Sequence, residues 1–270
     1  MQNTQTNPAR LDSKVSLVTG GTNGIGKKIV RRFSNEGAQV FFCGRDTEAG
    51  QRVTDKMLAE GAKVSFTQCD VTDENAINDW VNHTAAKTGR IDIVVANAGA
   101  ARLKPWPNEE TDMFDGIIRL NLNGVMYVCR AAWPKLVESG SGAVVIIGSL
   151  SAWMAVGHDQ LEHMDHVQPS PSYQASKAAV EGLAVHLAGR GGEHNIRVNV
   201  IRPGRILTER YERLLGSDGL WWPHYKQAQL LKRHGRSKDV ANAAVFLASD
   251  ESSFITGIML DVNGGAIAKL

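Results

Sequence analysis

The chain has 270 residues, 43% of them hydrophobic, with 30 Lys and Arg against 28 Asp and Glu. That apolar fraction is enough for a sizeable core, which excludes global disorder. The net charge of +2 gives no basic excess, which excludes a dedicated nucleic-acid binder. The longest clean apolar run, Ala143–Ile147, is far short of the ~20 residues that a membrane-spanning helix needs, so no membrane segment is predicted.

The N-terminus and the cysteines give expectations about order and compartment. The opening segment, MQNTQTNPAR, is too polar to pack and lacks the apolar stretch of a signal peptide, so residues 1–12 are predicted to form a flexible tail. Cys43, Cys69 and Cys129 are odd in number, widely spaced and without a CxxC pair. They are predicted to be buried, reduced thiols, which is typical of a cytoplasmic protein.

Short β-branched segments alternate with amphipathic segments of helical length along the chain. Most of the short segments are apolar almost throughout, which is typical of parallel strands buried on both faces. The alternation predicts right-handed βαβ units and the α/β class: one doubly wound Rossmann-type domain over residues 13–270, with a seven-stranded parallel sheet flanked by helices. The predicted strands are Val15–Thr19, Gln39–Cys43, Lys63–Cys69, Ile91–Ala96, Ala143–Ser149, Arg197–Ile201 and Ile258–Val262. The predicted helices are Gly24–Asn35, Thr47–Glu60, Asp73–Thr88, Glu109–Glu138, Ser172–Arg190 and Ser237–Ser249.

Two long connections interrupt this alternation, at residues 150–171 and 204–236. The second is predicted to hold short helices at Glu209–Leu215 and Trp221–Lys232. Because loops at the carboxyl ends of strands line the ligand crevice of an open α/β sheet, both are predicted to be substrate loops. The bulky side chains in these loops favour an apolar or cyclic substrate. Alternatively, such side chains pack against other residues of their own loop. These are Trp153 and Met154 in the first loop, and Trp221, Trp222 and Tyr225 in the second.

A glycine-rich turn follows the first predicted strand and precedes the first helix. Gly20 permits a tight turn, Gly24 lets the backbone pass close to a pyrophosphate, and Gly26 permits close helix–strand contact. The following helix N-terminus presents unpaired N–H groups to an anion. The turn therefore predicts a dinucleotide site, although its G-x3-G-x-G spacing differs from the G-x-G-x-x-G fingerprint.

A series of motifs in chain order resembles the single-domain branch of the short-chain dehydrogenase/reductase family. The resemblance runs nearly end to end and rests on the ordered set, because each motif alone is weak. The motifs are TGGTNGIG at 19–26, Asp70-Val71, Asn97-Ala98-Gly99, Asn121, Ser149, Tyr173-x3-Lys177, Pro203-Gly204-x3-Thr208 and Asp261-Val262-Asn263-Gly264-Gly265.

The resemblance implies an oxidoreductase that interconverts a secondary alcohol and a ketone, with Asn121, Ser149, Tyr173 and Lys177 as catalytic residues. In these roles, Tyr173 protonates the carbonyl oxygen and Ser149 donates a hydrogen bond to the substrate oxygen. Lys177 also hydrogen-bonds the nicotinamide ribose, and Asn121 binds a water molecule that relays protons. A tyrosine with a pKa of ~10 is a poor base at neutral pH. Lys177 lies four residues on, on the same helix face, and its ammonium is expected to lower the pKa of Tyr173.

The cofactor contacts are carried over from the same motifs. They are Gly20, Thr22, Asn23, Gly24, Ile25 and Gly26 in the glycine loop, Arg45, Asp70, Val71, Asn97, Ala98, Gly99, Tyr173, Lys177, Pro203, Gly204, Ile206 and Thr208. Asp70 and Val71 are expected at the adenine, and Ile206 and Thr208 at the carboxamide. Asp70 equally fits an ordinary turn residue.

The choice between NADP and NAD is made at the end of the second strand. NAD users place a carboxylate there for the ribose 2′-OH, and by alignment that position is Gly44. Arg45 follows, and its guanidinium suits a 2′-phosphate, so NADP is predicted with NAD as the alternative. Many NADP users in the family also carry a basic residue in the glycine loop, where this chain has Asn23. Asp46 is predicted to cap the following helix.

The 24-residue step from Ser149 to Tyr173 is longer than the family's usual spacing and carries a histidine-rich insertion. Its imidazoles and carboxylates could hold a divalent metal, but their spacing is loose and the family's hydride chemistry needs no metal. A solvated loop without metal is therefore predicted. The residues concerned are His158, His163 and His166, with Asp159, Glu162 and Asp165.

Alternative functions and partners follow from the same fold. A noncatalytic dinucleotide-binding sensor or scaffold is possible on a Rossmann-type domain, but the intact catalytic set favours an enzyme. A small-molecule alcohol or ketone is the predicted partner, with Arg102 or Arg205 either meeting an acidic group or solvated. The resemblance also implies a homodimer or homotetramer, formed through the fourth and fifth helices and the C-terminal strand.

Overall fold

A computed structural model describes residues 9–102, 104, 106–153, 170–215 and 229–266. Its central sheet has seven parallel strands in the order β3-β2-β1-β4-β5-β6-β9, which confirms the predicted doubly wound fold. These strands are β1 (Val15–Thr19), β2 (Gln39–Gly44), β3 (Val64–Gln68), β4 (Ile93–Ala96), β5 (Ala143–Ile147), β6 (Arg197–Pro203) and β9 (Met259–Val262). Two short strands, β7 (Ile206–Leu207) and β8 (Gly235–Arg236), pair in parallel beside it. The strand order reverses between β1 and β4, where a doubly wound sheet opens its ligand crevice.

Helices cover both faces of the sheet, because neighbouring residues of a strand point to opposite sides. In β1, Leu17 belongs to the core under α3, α5 and α6, whereas Val18 belongs to the core under α1, α2 and α8. These helices are α1 (Gly24–Asn35), α2 (Thr47–Ala59), α3 (Glu74–Thr88), α5 (Gly124–Ser139), α6 (Pro171–Gly191) and α8 (Ser237–Ala248). The shorter helices are α4 (Thr111–Ile118) and α7 (Glu209–Leu215). None of the described helices is both long and apolar enough to cross a membrane.

The prediction of a flexible tail over residues 1–12 is wrong for residues 9–12. Leu11 is 0% exposed and packs in the core under α1, and its N–H donates to the Glu36 carbonyl at 2.9 Å. Arg10 forms an ion pair with Glu36 at 2.8 Å. A single leucine in a polar segment gave no periodicity from which this packing could be read. Residues 1–8 lie outside the described residues.

The predicted helix Glu109–Glu138 is three elements. Helix α4 ends at Ile118, a π-helical segment follows over Arg119–Asn123, and α5 begins at Gly124. A π turn is a wider turn within a continuous helix, so the sequence pattern predicted a single helix, and such turns are frequent at functional sites. Asn121 lies in the middle of this one and is buried.

Two further predictions concern the second long connection and the cysteines. Helix α7 matches the predicted bounds, whereas residues 229–232, the described end of the predicted helix Trp221–Lys232, are not helical. Residues 221–228 lie outside the described residues. Gln229 donates through Nε2 to the Arg233 carbonyl at 2.7 Å. All three cysteines are free and buried. Burial raises the pKa of Cys129 to about 12, as expected for an inert thiol.

Candidate active site

The glycine loop connects β1 to α1 at the point where the strand order reverses. Gly20 has φ +67°, and a Cβ there would lie 2.9 Å from the Ala98 Cα. A Cβ on Gly26 would lie 2.1 Å from the Gly20 carbonyl oxygen, so only glycine fits. Asn23 precedes α1 without a side-chain capping bond, and the first turn carries no acidic residue. This narrow cradle at an uncapped helix N-terminus fits the pyrophosphate of a dinucleotide.

Asn97 ties the glycine loop to the end of β4. Its Nδ2 donates to the carbonyls of Thr19 and Gly20 at 3.0 and 3.1 Å. In return, Thr19 Oγ1 accepts the backbone N–H groups of Asn97 and Ala98, both at 3.0 Å. The Asn97 amide therefore holds the loop in shape, a role that the motif alone did not reveal.

The Thr22 side chain lies against Gly44 at the end of β2. A Cβ on Gly44 would lie 2.8 Å from the Thr22 Cγ2, because the Thr22 side chain occupies that space. Arg45 is exposed, and its Nη1 lies 3.9 Å from the Asp70 Oδ2. Asp70 accepts from the N–H and hydroxyl of Thr72, both at 2.9 Å, and thus also acts as a turn residue. Asp46 caps α2 by accepting from the Ala49 N–H at 2.9 Å, as predicted.

Ser149 and Tyr173 meet at the carboxyl end of β5. The strand ends at Ile147, two residues earlier than predicted, and Ser149 precedes a 3₁₀ turn over Leu150–Ala152. Its Oγ accepts from the Ser151 N–H at 3.1 Å and is hydrogen-bonded to Tyr173. Two hydroxyls brought together in a buried place can bind and protonate one oxygen atom of a substrate.

The pKa of Tyr173 shifts in the direction opposite to the one expected from the sequence. Burial raises the pKa of Tyr173, and the Ser149 hydrogen bond offsets this only in part. The charged or titratable neighbours that act on the Tyr173 pKa are Tyr211, which raises it, and Arg205, which lowers it. Lys177, whose Nζ lies 5.9 Å from the Tyr173 ring centroid, is not among the described groups that shift the pKa of Tyr173, so the predicted lowering by its ammonium is not seen.

Lys177 is held beneath the tyrosine by the sheet. Its side chain is 4% exposed, its Nζ donates to the Ile147 carbonyl at 2.7 Å, and burial lowers its pKa to about 8. Gly99 lies beside this side chain: a Cβ there would lie 3.5 Å from the Lys177 Nζ, an ordinary contact, but only 3.0 Å from the Asn121 Oδ1. Asn97-Ala98-Gly99 therefore shapes the floor of the crevice as well as its phosphate end.

Asn121 reaches the catalytic helix through its side chain. Its Oδ1 accepts from the Ala100 N–H at 2.9 Å, and its Nδ2 donates to the Ala100 carbonyl and to the Ser176 Oγ, both at 3.0 Å. Ser176 in turn donates to the Tyr173 carbonyl at 2.8 Å. The predicted catalytic asparagine thus supports α6 one residue before Lys177.

The segment that follows β6 passes close to the glycine loop. Pro203 ends the strand, a Cβ on Gly204 would lie 2.6 Å from the Asn263 Cα, and Ile206 is buried in β7. The Thr208 methyl lies 3.7 Å from the Cβ position of Gly24, and Lys27 pairs with Glu209 at 2.8 Å. Thr208, one of the two predicted carboxamide contacts, therefore lies beside the glycine loop.

A buried cluster around Glu181 was missed from the sequence. Glu181 accepts from Nε and Nη2 of Arg202, both at 2.7 Å, and from the Trp153 indole N–H. The Arg202 guanidinium lies 5.5 Å from the Trp153 ring centroid. The available signal was the spacing Tyr173, Lys177, Glu181, which places three polar side chains on one face of α6.

Two sets of residues from the predicted loops lie outside the described residues. They are the bulky candidate substrate contacts Met154, Trp221, Trp222 and Tyr225, and the histidine-rich insertion with His158, Asp159, Glu162, His163, Asp165 and His166. Within the described part of the chain, no group of three His, Cys, Asp or Glu side chains could hold a metal ion.

Comparison with known proteins identifies the class to which this fold and site belong. The family model described as Enoyl-(Acyl carrier protein) reductase matches residues 20–266. The 7alpha-hydroxysteroid dehydrogenase of Escherichia coli is 32% identical over 97% of both chains, and the L-fucose dehydrogenase of Bos taurus is 38% identical over 95% of this chain and 90% of its own. A solved 7alpha-hydroxysteroid dehydrogenase complexed with NADH and 7-oxo glycochenodeoxycholic acid superposes with a TM-score of 0.86, at 31% identity, over 97% of this chain and 98% of its own.

The chain belongs to the short-chain dehydrogenase/reductase family, as its motifs predicted. It is an NAD(P)-dependent oxidoreductase that acts on CH–OH groups.

Proposed function

We propose that the protein interconverts a secondary alcohol and a ketone with NADP(H), and that Tyr173 is the general acid and base. The observation that carries this proposal is the meeting of Tyr173, Ser149 and Lys177 at the carboxyl end of β5. A bound nicotinamide dinucleotide supplies hydride to the carbonyl carbon or accepts it from the alcohol carbon. The protein orients the substrate oxygen and moves its proton.

The residues divide this work in the reductive direction. Ser149 donates a hydrogen bond to the carbonyl oxygen, and the Tyr173 phenol transfers its proton to that oxygen, leaving tyrosinate and an alcohol. Lys177 uses one of its three donors on the Ile147 carbonyl, and we assign the others to the nicotinamide ribose. In oxidation the tyrosinate takes the proton back. Burial raises the pKa of Tyr173, so the neutral phenol, the form that donates the proton in reduction, is present at neutral pH.

The NADP assignment rests on the end of β2. Thr22 fills the space in which a carboxylate side chain at position 44 would stand, and β2 carries no acidic residue that could bind a ribose 2′-hydroxyl. The Arg45 guanidinium is 71% exposed and is held only by a 3.9 Å contact with Asp70 among the described residues, so it is free to turn to a phosphate. Charge-assisted bidentate bonds are the strong interaction of an arginine with such a group.

Arg45→Ala is expected to weaken NADPH binding about 10- to 100-fold, because a charge-assisted hydrogen bond contributes about 1.5–3 kcal/mol. NADH lacks the 2′-phosphate, so its binding is expected to change little. The measurement is kcat/KM and Kd for both cofactors, with Arg52→Ala as the control, since Arg52 is an exposed arginine on α2. Wild-type preference for NADH, or an equal loss for both cofactors, contradicts the assignment.

The reverse change tests the same geometry. Gly44→Asp alone is expected to gain NADH activity poorly, because its Cβ meets the Thr22 methyl at 2.8 Å. Combining it with Thr22→Ser removes that methyl, so the double variant is expected to prefer NADH. A single Gly44→Asp variant as active with NADH as the double variant contradicts the role given to Thr22.

The substrate is best sought among cyclic alcohols and ketones. Trp153 follows Ser149 by four residues and presents a half-exposed indole ring beside the 3₁₀ turn. Relatives are named for a hydroxysteroid, for L-fucose and for D-threitol, which supports a panel of steroids, sugars and linear polyols. Each compound is tested with both cofactors. Tight NADPH binding without turnover of any alcohol or ketone contradicts the proposed reaction.

We also propose that the protein forms a homodimer or homotetramer. Exposed apolar side chains lie on the elements that the family resemblance implicates: Phe114 on α4, Val185 on α6 and Ile258 before β9. Val185→Glu is expected to shift the wild-type oligomer to a smaller species in sedimentation velocity, since it introduces a charge into an apolar contact. A monomeric wild type contradicts the proposal.

A further inference from the structure

The first turn of α6 is held by a side chain from a distant part of the chain. The first N–H groups of a helix have no partner within the helix, and a side chain at the preceding residue usually supplies one. Ser170 precedes α6 and makes no such bond. Instead the Ser172 N–H donates to the Glu109 Oε2 at 2.9 Å, and the Ser172 hydroxyl also donates to the Glu109 carboxylate.

The same turn has a second anchor next to the first. The Ser170 N–H donates to the Arg102 carbonyl at 3.0 Å, and the hydroxyls of Ser170 and Ser172 lie 2.9 Å apart. Both serines are 0% exposed, so water does not compete for these bonds. A carboxylate at a helix N-terminus is also favoured by the positive end of the helix dipole. The stretch between Gly99 and α4 therefore fixes the backbone that leads into Tyr173.

Tyr173 is the residue next to this anchor. Its N–H donates to the Ser170 carbonyl at 3.0 Å, and its own carbonyl accepts from Ser176. The position of the phenol relative to Ser149 consequently depends on where the first turn of α6 is held. Among the described groups, Glu109 accepts hydrogen bonds only from the Ser172 N–H and hydroxyl, and neither bond involves the reacting atoms.

We propose that Glu109 is a positioning residue for Tyr173, acting through the Ser172 N–H and hydroxyl. This inference rests on the proposed role of Tyr173 as the general acid and base. A displacement of ~1 Å in a catalytic group costs up to about 10²-fold in rate. Loss of the Glu109 anchor therefore lowers turnover while leaving the glycine loop and its cofactor contacts intact.

The chain offers a matched control in the adjacent glutamate. Glu110 is exposed and pairs with Lys104 at 3.3 Å, so Glu110→Ala removes a neighbouring carboxylate without touching α6. Glu109→Gln keeps an acceptor of the same length for the Ser172 N–H. Glu109→Asp keeps the charge but shortens the reach, and it replaces Glu109→Ala if that variant does not fold.

The experiment measures kcat, the KM for NADPH and the tyrosinate absorbance titration of each purified variant. We expect Glu109→Ala to lower kcat about 10- to 100-fold with an NADPH KM within about twofold of wild type. Glu109→Gln is expected to restore kcat to within about threefold, and Glu110→Ala to match wild type. The titration of Tyr173, taken as the difference from a matching Tyr173→Phe protein, is expected to move towards the ordinary tyrosine pKa in Glu109→Ala only.

Two results overturn the inference. One is an unchanged kcat in folded Glu109→Ala or Glu109→Asp, and the other is a Glu109→Gln variant as impaired as Glu109→Ala. Absence of turnover in the wild type contradicts the proposed function instead. In that case the tyrosine titration still decides the role of Glu109, because an unchanged Tyr173 titration in Glu109→Ala overturns it.

Discussion

Tyr173→Phe is expected to bind NADPH as wild type does and to lose about 10²- to 10⁴-fold in kcat, the contribution of general acid–base catalysis. The substitution removes one oxygen and keeps the ring, so the packing of α6 should persist. Without the phenol, the carbonyl oxygen has the Ser149 hydrogen bond but no group placed to protonate it.

The measurement is kcat for carbonyl reduction together with the Kd for NADPH by fluorescence. Tyr127→Phe is the control, because Tyr127 lies on α5 beside Arg130 and away from Ser149. Retention of more than a tenth of the wild-type kcat by Tyr173→Phe would overturn the assignment of Tyr173.

The pH dependence of the wild type gives a second readout of the same site. The neutral phenol persists below its raised pKa, so Tyr173 does not limit reduction near neutrality. The Lys177 ammonium is present below its pKa of about 8 and is lost above it. Reductive kcat is therefore expected to be level below pH 8 and to fall above it. A rate that rises through pH 8 contradicts these protonation states.

Glu181→Ala is expected to lower the free energy of unfolding by about 3–5 kcal/mol, the cost of leaving one partner of a buried ion pair unpaired. Glu181 is 2% exposed, and both of its carboxylate oxygens accept from Arg202 at 2.7 Å. The remaining acid near Arg202 is Asp261, whose Oδ1 lies 3.8 Å from the Arg202 Nη1 and is half exposed. It replaces only part of the lost interaction.

Urea unfolding measures this effect, with Glu48→Ala as the control, because the exposed Glu48–Arg52 pair contributes no more than about 1 kcal/mol. The double variant Glu181→Ala/Arg202→Leu is expected to be more stable than the sum of the two single losses predicts, since it removes both charges. Additive losses would show that the two side chains do not interact.

Helices and strands that are determined by neighbouring residues could be predicted from the sequence. Contacts between distant segments could not. Buried strands such as β1 and β5 are apolar on both faces, and that pattern is visible in any window along the chain. Gly20 and Gly26 likewise predict a close approach of the backbone, because the spacing of these glycines is also visible within a short window of the sequence. The π segment around Asn121 is itself helical and joins α4 to α5 without a break, so the pattern predicted one long helix.

The pKa shifts of the site residues and their distant hydrogen-bond partners could be found only from the folded structure. The spacing of Tyr173 and Lys177 placed them on one helix face, but it could not show that burial desolvates both groups. Likewise, the sequence pattern predicts Glu109 as the first residue of a helix. In the structure its carboxylate accepts hydrogen bonds from Ser172, 63 residues away. Depth of burial and long-range partners depend on the packing of whole elements, which no short window contains.

The bonds along α6 bear on how such an enzyme can be re-engineered. Ser172 is held by Glu109, Ser176 by Asn121, Lys177 by the Ile147 carbonyl and Glu181 by Arg202 and Trp153. Each successive turn is thus fastened to a different part of the chain. Transplanting α6 alone into another nucleotide-binding scaffold would carry the reactive side chains without their supports. A graft that keeps the tyrosine in register has to bring the stretch from Gly99 to Asn121, the end of β5 with its 3₁₀ turn, and the end of β6 as one unit.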